Sequence, residues 1–269
     1  MSTGNNAQTV QPPSALLMAM ELRAPWEYGA SLASLPILWS APRGDGHAVL
    51  VFPGLIASDL STRPLRRYLR DRGYLAHKWD QGRNLGPRPG VLEGCVARVR
   101  HLRAVTGRKV SLIGWSLGGI YARETAKSLP DDVRCVITLG TPFAGHPRAT
   151  NAWKVYEMAS GERVDARRDY PELAKAPPVP TTSIYSRTDG VVAWQCSVQA
   201  ADQDAKTENI EVQASHLGLG VNPTVLYAVA DRLAQAEGQW RPFERTGLRR
   251  LLSNDPKTSD WFSRTFAAT

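Results

Sequence analysis

Cysteine is scarce: Cys95, Cys135 and Cys196 are the only three in 269 residues, widely spaced and odd in number. That excludes a disulfide framework and a metal knuckle, and reduced, mostly buried thiols are the simpler state. Neither an HExxH sequence nor a cysteine–histidine cluster occurs, so no metal and no cofactor is expected. Long apolar runs are missing as well. The most apolar stretch, Ala15 to Leu38, is broken by Glu21, Arg23, Pro25 and Glu27, which excludes a membrane span. The opening residues lack the basic start, apolar run and small-residue cleavage site of a secretory leader, and a cytoplasmic location is expected. Zinc-finger spacing and aromatic-basic RNA-binding signatures are absent, so nucleic acid is not an expected partner.

What remains is an ordinary folding composition, 42% hydrophobic and 22% charged, in a chain long enough for one large domain. Lys plus Arg exceed Asp plus Glu by 33 − 25 = 8, but the surplus is dispersed. Its densest runs, Arg63 to Arg72 and Arg245 to Arg250, read as solvated helix faces.

Residues 1–14 are polar, contain Pro12 and Pro13, and are expected to be a mobile tail. After an amphipathic entry segment the chain alternates. Strands are expected at His47–Phe52, Tyr74–Trp79, Lys109–Ile113, Val133–Leu139, Thr182–Tyr185 and Asn209–Gln213. Between them lie helical patterns at Ser61–Asp71, Val91–Val105 and Leu117–Leu129, and the last strand is followed by another, Pro223 to about Glu237. Such alternation implies right-handed crossovers and a mostly parallel sheet covered by helices on both faces. Two segments break the rhythm. Residues 143–179 carry Trp153, Tyr156 and Met158 and end in Pro177, Pro178 and Pro180, which reads as a small cap or lid inserted into a domain spanning 15–240. Residues 241–269 form an amphipathic extension that includes Trp261, Phe262 and Phe266; packing on the domain is expected over peripheral membrane contact.

Gly114-Trp115-Ser116-Leu117-Gly118 matches G-x-S-x-G and falls between an expected strand and an expected helix, the context that gives this motif chemical meaning. A sharp strand-to-helix turn would project the Ser116 hydroxyl above the sheet beside the positive end of a helix. A serine hydroxyl is a weak nucleophile near neutrality and needs a histidine base oriented by an acid. His216, just past the last strand, suits the base; His146, the other histidine downstream of Ser116, falls inside the insertion. Asp189, in the loop after Thr182–Tyr185, suits the acid, with Asp165, Asp169, Asp202 and Asp204 as competitors. Oxyanion donors are expected from Leu117 N–H and from Leu55 N–H in the glycine turn Pro53-Gly54-Leu55. Trp115, Trp153 and Tyr156 are the expected substrate-binding side chains, and Trp153, Tyr156 and Met158 fit one apolar patch that either shifts as a roof or packs as a fixed layer.

From Pro53-Gly54-Leu55, Gly114-Trp-Ser-Leu-Gly-Gly119, Thr141-Pro142-Phe143, Ser186-Arg-Thr-Asp189-Gly-Val-Val192 and Ser215-His216-Leu-Gly218, the chain resembles the lipase and esterase branch of the α/β-hydrolase superfamily over roughly residues 47–237. The resemblance implies the α/β-hydrolase fold and a cofactor-free triad of Ser116, Asp189 and His216 with Leu55 and Leu117 as oxyanion donors. Trp115 stands where such enzymes commonly have histidine, which bears on the pocket wall, and the region before His47 is short for the usual opening hairpin. The expected activity is cleavage of a small-molecule carboxylic ester, with an apolar acyl or alcohol part, through an acyl-enzyme on Ser116. An acyltransferase using the same triad and a non-catalytic binding protein on the same scaffold are the alternatives.

Overall fold

The computed structural model describes residues 10–161, 163–164, 170–200, 206–247 and 249–252. It opens with three helices, α1 (Ala15–Ala19), α2 (Ala24–Ala33) and α3 (Leu35–Trp39), the first two joined by a helical turn at Met20–Arg23. The alternating part follows as β1 (Ala48–Phe52), α4 (Arg63–Asp71), β2 (Leu75–Lys78), α5 (Val91–Thr106), β3 (Val110–Trp115), α6 (Leu117–Ser128) and β4 (Val133–Leu139). After β4 come α7 (Trp153–Ser160) and α8 (Pro171–Ala174), then β5 (Thr181–Tyr185), β6 (Thr207–Glu211) and α9 (Pro223–Leu233).

The six strands form one sheet in the order β2-β1-β3-β4-β5-β6, every neighbouring pair parallel. Helices cover both faces, so alternate residues of a strand enter different cores. Along β1, Val49 and Val51 join Leu65, Leu69, Val225 and Val229 of α4 and α9 on one face. Ala48, Leu50 and Phe52 join Cys95, Val99, Ala122 and Ala126 of α5 and α6 on the other. Each leucine or isoleucine fully withdrawn from water contributes about 1.5–3 kcal/mol, and this two-sided burial fixes the strand register. Among the described residues no helix is long and apolar enough to cross a membrane.

The structure revises four local readings. The entry segment is helical and adds no strand to the sheet, and its polarity is turned around: Glu21 and Ser31 are buried while Leu22 and Trp26 are more than 80% exposed. Hydrogen-bond donors from distant loops draw the carboxylates inward, as described below. Part of the expected N-terminal tail is attached, for the Pro13 carbonyl accepts from Asn151 Nδ2 at 3.0 Å and Val10 packs on the cluster of Ala149, Val192 and Cys196. The basic run on α4 is only partly a solvated face. Arg66 and Arg72 are buried and donate to the carbonyls of Asp59, in the loop before α4, and of Trp39, at the C-terminal end of α3, each at 2.6 Å. Finally, α7 splits the expected patch. Trp153 and Tyr156, three residues apart, share a helix face, whereas Met158 lies on another and is 81% exposed. Of the C-terminal extension, Phe243 is buried in the core beside Arg232; Trp261, Phe262 and Phe266 lie outside the described residues.

Candidate active site

Ser116 sits between β3 and α6 at φ 53° and ψ −126°, outside the regions a side-chain-bearing residue ordinarily occupies. The turn holds because its flanks admit no side chains. A Cβ on Gly114 would lie 2.3 Å from the Gly119 Cα, and one on Gly118 would lie 2.5 Å from the Phe52 carbonyl oxygen. The Ser116 N–H is bonded to the Leu139 carbonyl at 2.8 Å, which keeps the elbow at the C-terminal end of β4.

Asp189 and His216 come from the loops after β5 and β6. Their side chains meet at 2.7 Å, Oδ2 to Nδ1, and both are buried. The second oxygen of Asp189 accepts from the N–H groups of Val191 and Val192 at 2.8 and 2.7 Å, which fixes the carboxylate plane. Because a carboxylate only accepts, Nδ1 carries the proton and the Nε2 lone pair is left to take another. Burial opposes charging the imidazole, but the Asp189 charge and hydrogen bond, with a further contribution from Glu21, outweigh it and hold His216 above the ordinary imidazole value of 6.5.

A base works in its neutral form, so kcat/KM should decline as pH falls through the raised value, with its half-point above pH 6.5. A half-point below about pH 6 in the pH–rate profile would contradict this assignment of the base. Stability runs the other way: the contribution from charging His216 is fully present below the unfolded value and is lost as pH rises through the folded one.

Trp115 does not form the pocket wall expected of it. Its Nε1–H donates to the His216 carbonyl at 3.0 Å and its ring packs 3.5 Å from where a Gly220 side chain would begin, so it ties the serine elbow to the histidine loop. The side chain of the last β3 residue is directed toward the α9 face, which decides the matter. His146 accepts from Arg148 N–H at 3.0 Å and caps a short helical turn. Asp165, Asp169, Asp202 and Asp204 lie outside the described residues.

Ser116 opens into a cavity of about 380 Å³, lower in the range of roughly 300–1,000 Å³ usual for small-molecule sites. Leu55 and Leu117 border it beside the serine, and Ile120, Trp153, Tyr156 and Leu173 supply apolar walls. The loop carrying Leu55 is braced by Asn84, which is fully buried. Its side-chain amide donates to the Pro53 carbonyl, its carbonyl accepts from Ile56 N–H at 2.7 Å, and its own N–H reaches Ala57. Ile56 is thereby kept at φ 55°, costly for a β-branched residue. No sequence signal marked Asn84.

Three further residues escaped the sequence reading. Glu21, Arg23 and Glu27, noted only as interruptions of an apolar stretch, bind the loops of Asp189 and His216. Arg23 donates to the carbonyl and hydroxyl oxygens of Thr188 at 2.9 and 2.8 Å and to Glu27 at 3.1 Å. Glu27 accepts from Ser215 N–H at 2.7 Å and from Asn222. Glu21 accepts from the N–H groups of Gly190, His216 and Leu217 at 2.7, 2.9 and 2.8 Å.

A family model described as the α/β-hydrolase family matches residues 46–268. No curated protein matches the sequence. Among solved structures, a lipase B of Aspergillus fumigatus superposes with a TM-score of 0.55 at 17% identity over 74% of this chain. The match covers only 56% of that lipase. An α/β superfamily hydrolase of Oenococcus oeni gives 0.50 at 15% identity, covering 70% of this chain and 91% of the other. A pyrethroid hydrolase of Sphingobium faniae gives 0.50 at 18% identity, covering 70% and 97%. At these identities the likeness is one of fold.

Proposed function

The chain belongs to the α/β-hydrolase family, and on that premise we propose that it cleaves a small-molecule carboxylic ester with an apolar acyl group through an acyl-enzyme on Ser116. The observation that carries this reading is the strained Ser116, opening into a largely apolar cavity at the same sheet end as the buried His216–Asp189 pair. Ser116 Oγ attacks the acyl carbon while His216 Nε2 takes its proton. The Leu55 and Leu117 N–H groups stabilise the negative oxygen of the tetrahedral intermediate. His216 then protonates the departing alcohol, the carbon–oxygen bond breaks, and a water deprotonated by His216 releases the acid and restores the serine. Asp189 keeps the imidazole in the working tautomer and offsets its transient positive charge.

A panel of p-nitrophenyl esters of increasing acyl length tests chemistry and pocket together. Turnover with a preference set by acyl length is expected; no turnover of any member, with Ser116 inert toward a fluorophosphonate, would favour a binding protein. Acyl transfer to an added alcohol in preference to water would make the protein a transferase.

The role of the cap is separable on the same panel. No residue of α7 is fully buried, and Trp153 faces the cavity. Trp153→Ala should therefore shift the preferred acyl length and raise KM several-fold, with the melting temperature lowered by no more than about 3 °C, as for a side chain outside the core. A large loss of melting temperature with chain-length preference unchanged would identify α7 as a fixed packing layer.

A further inference from the structure

Glu21 lies at the N-terminal end of the chain's described fold, 169 residues before one of its partners and 195 before another. Its side chain is 4% exposed. One carboxylate oxygen, Oε1, accepts from Gly190 N–H at 2.7 Å and from His216 N–H at 2.9 Å. The other, Oε2, accepts from Leu217 N–H at 2.8 Å. Gly190 immediately follows Asp189, so a single oxygen is shared by the backbone of the histidine and the backbone next to its acid. Three N–H donors converging on one carboxylate suit its anionic form, which accepts at every lone pair and donates nothing.

Glu27 provides a natural comparison. It too is a glutamate of the entry helices that accepts a backbone N–H from the histidine loop, that of Ser215 at 2.7 Å. Its charge is met directly by Arg23 at 3.1 Å, whereas no cation is paired with Glu21 among the ion pairs of the described residues. The two glutamates thus anchor the same loop, but of the two only Glu21 holds the backbone of the base itself, and it does so without a paired cation among the described ion pairs.

We infer that Glu21 is a positioning residue for the acyl-transfer chemistry: it locks the Asp189 and His216 loops to each other and favours the imidazolium that forms each time His216 takes a proton. This rests on the proposed roles of Ser116, His216 and Asp189. The raised proton affinity of His216 includes a contribution from Glu21, after the larger effects of burial, which opposes it, and of Asp189. Neither substrate nor nucleophile need touch Glu21. Its effect passes through the backbone and the field at the imidazole.

The test uses Glu21→Gln with Glu27→Gln as its matched control, each read for thermal melting, for kcat and KM on one p-nitrophenyl ester, and for the pH dependence of kcat/KM. For Glu21→Gln, kcat should fall about 10- to 100-fold with KM changed less than twofold. The acid limb of its profile should move to lower pH, because a less stabilised imidazolium gives up its proton more readily. Glu27→Gln should lower the melting temperature without moving the acid limb. Glu21→Asp, which keeps the charge on a shorter arm, should lose kcat with the acid limb left in place. If Glu21→Gln does not fold, Glu21→Asp and Glu27→Asp decide: a fall in kcat confined to the former supports the proposal, and equal kcat in the two overturns it. Equal acid limbs in wild type and a folded Glu21→Gln, with activity lost only in proportion to stability, would also overturn it and leave Glu21 as loop packing. Fluorophosphonate labelling of wild-type Ser116, run alongside, separates this failure from failure of the proposed function: an inert wild-type serine sinks the ester-hydrolase reading, whereas a labelled wild type with equal limbs sinks only the role of Glu21.

Discussion

Replacing Ser116 with alanine should abolish fluorophosphonate labelling and lower ester turnover by about 10³- to 10⁶-fold, the range seen when a nucleophile of a serine triad is lost. The hydroxyl is the group that forms and breaks the bond to the acyl carbon, and no other side chain bordering the cavity at the elbow replaces it. The fold should be retained. Ser116 Oγ contributes nothing to the two cores, and its backbone hydrogen bond to Leu139 survives the change. Alanine also meets the same φ of 53° with a side chain no larger than the serine it replaces, so the melting temperature should stay within about 2 °C. Measuring labelling, turnover and melting on the one variant separates the outcomes. Turnover above about a tenth of wild type would remove Ser116 from the mechanism and the acyl-enzyme with it.

Two residues away, Gly114→Ala should cost stability as well as activity. The added methyl group would be 2.3 Å from the Gly119 Cα and 2.4 Å from the Gly118 carbonyl oxygen and the Gly119 nitrogen, all of them backbone at the start of α6. No rotamer relieves such a contact. The helix must move off β3, which disturbs the core of Leu112, Ala122 and Ala126 on that face of the sheet. A loss of about 3 kcal/mol or more is expected, equivalent to roughly 6–12 °C in melting temperature for a chain of this size. Activity should collapse as well, because the Leu117 N–H at the start of α6 moves with it. A Gly114→Ala protein that melts within about 2 °C of wild type would mean that β3 and α6 are not as close as this geometry requires.

The alternation of strands and helices was legible because it depends on near neighbours. The apolar run Val133–Leu139 appears as β4 with the same bounds, and the ends of the other strands differ by no more than two residues. The elbow was legible for the same reason, since G-x-S-x-G with a strand before and a helix after is a local signal. Asp189 and His216 followed from chain order, and the structure brings their side chains to 2.7 Å. Trp115 was misread because a tryptophan beside a nucleophile looks like a pocket wall. Which face of β3 it occupies is set by the sheet, and that face belongs to His216 and Gly220.

Glu21, Arg23 and Glu27 mark the limit of such reading. In the sequence they are three charges interrupting an apolar stretch, and helical periodicity assigns charges to the solvent side. Here the solvent side carries Leu22 and Trp26, and Glu21 is turned inward. Its burial is tolerable only because Gly190, His216 and Leu217 present N–H groups to it from loops roughly 170–196 residues along the chain. The same holds for Asn84, an unremarkable loop residue until Pro53 and Ile56 fold around it. By itself, then, the sequence determined the alternating parallel sheet, the serine elbow and the order of the candidate triad, because hydrophobic periodicity and turn chemistry act over a few residues. The tertiary structure alone decided which buried carboxylate and which buried amide hold the site together, because a polar side chain is stable inside a protein only where partners from distant segments satisfy it.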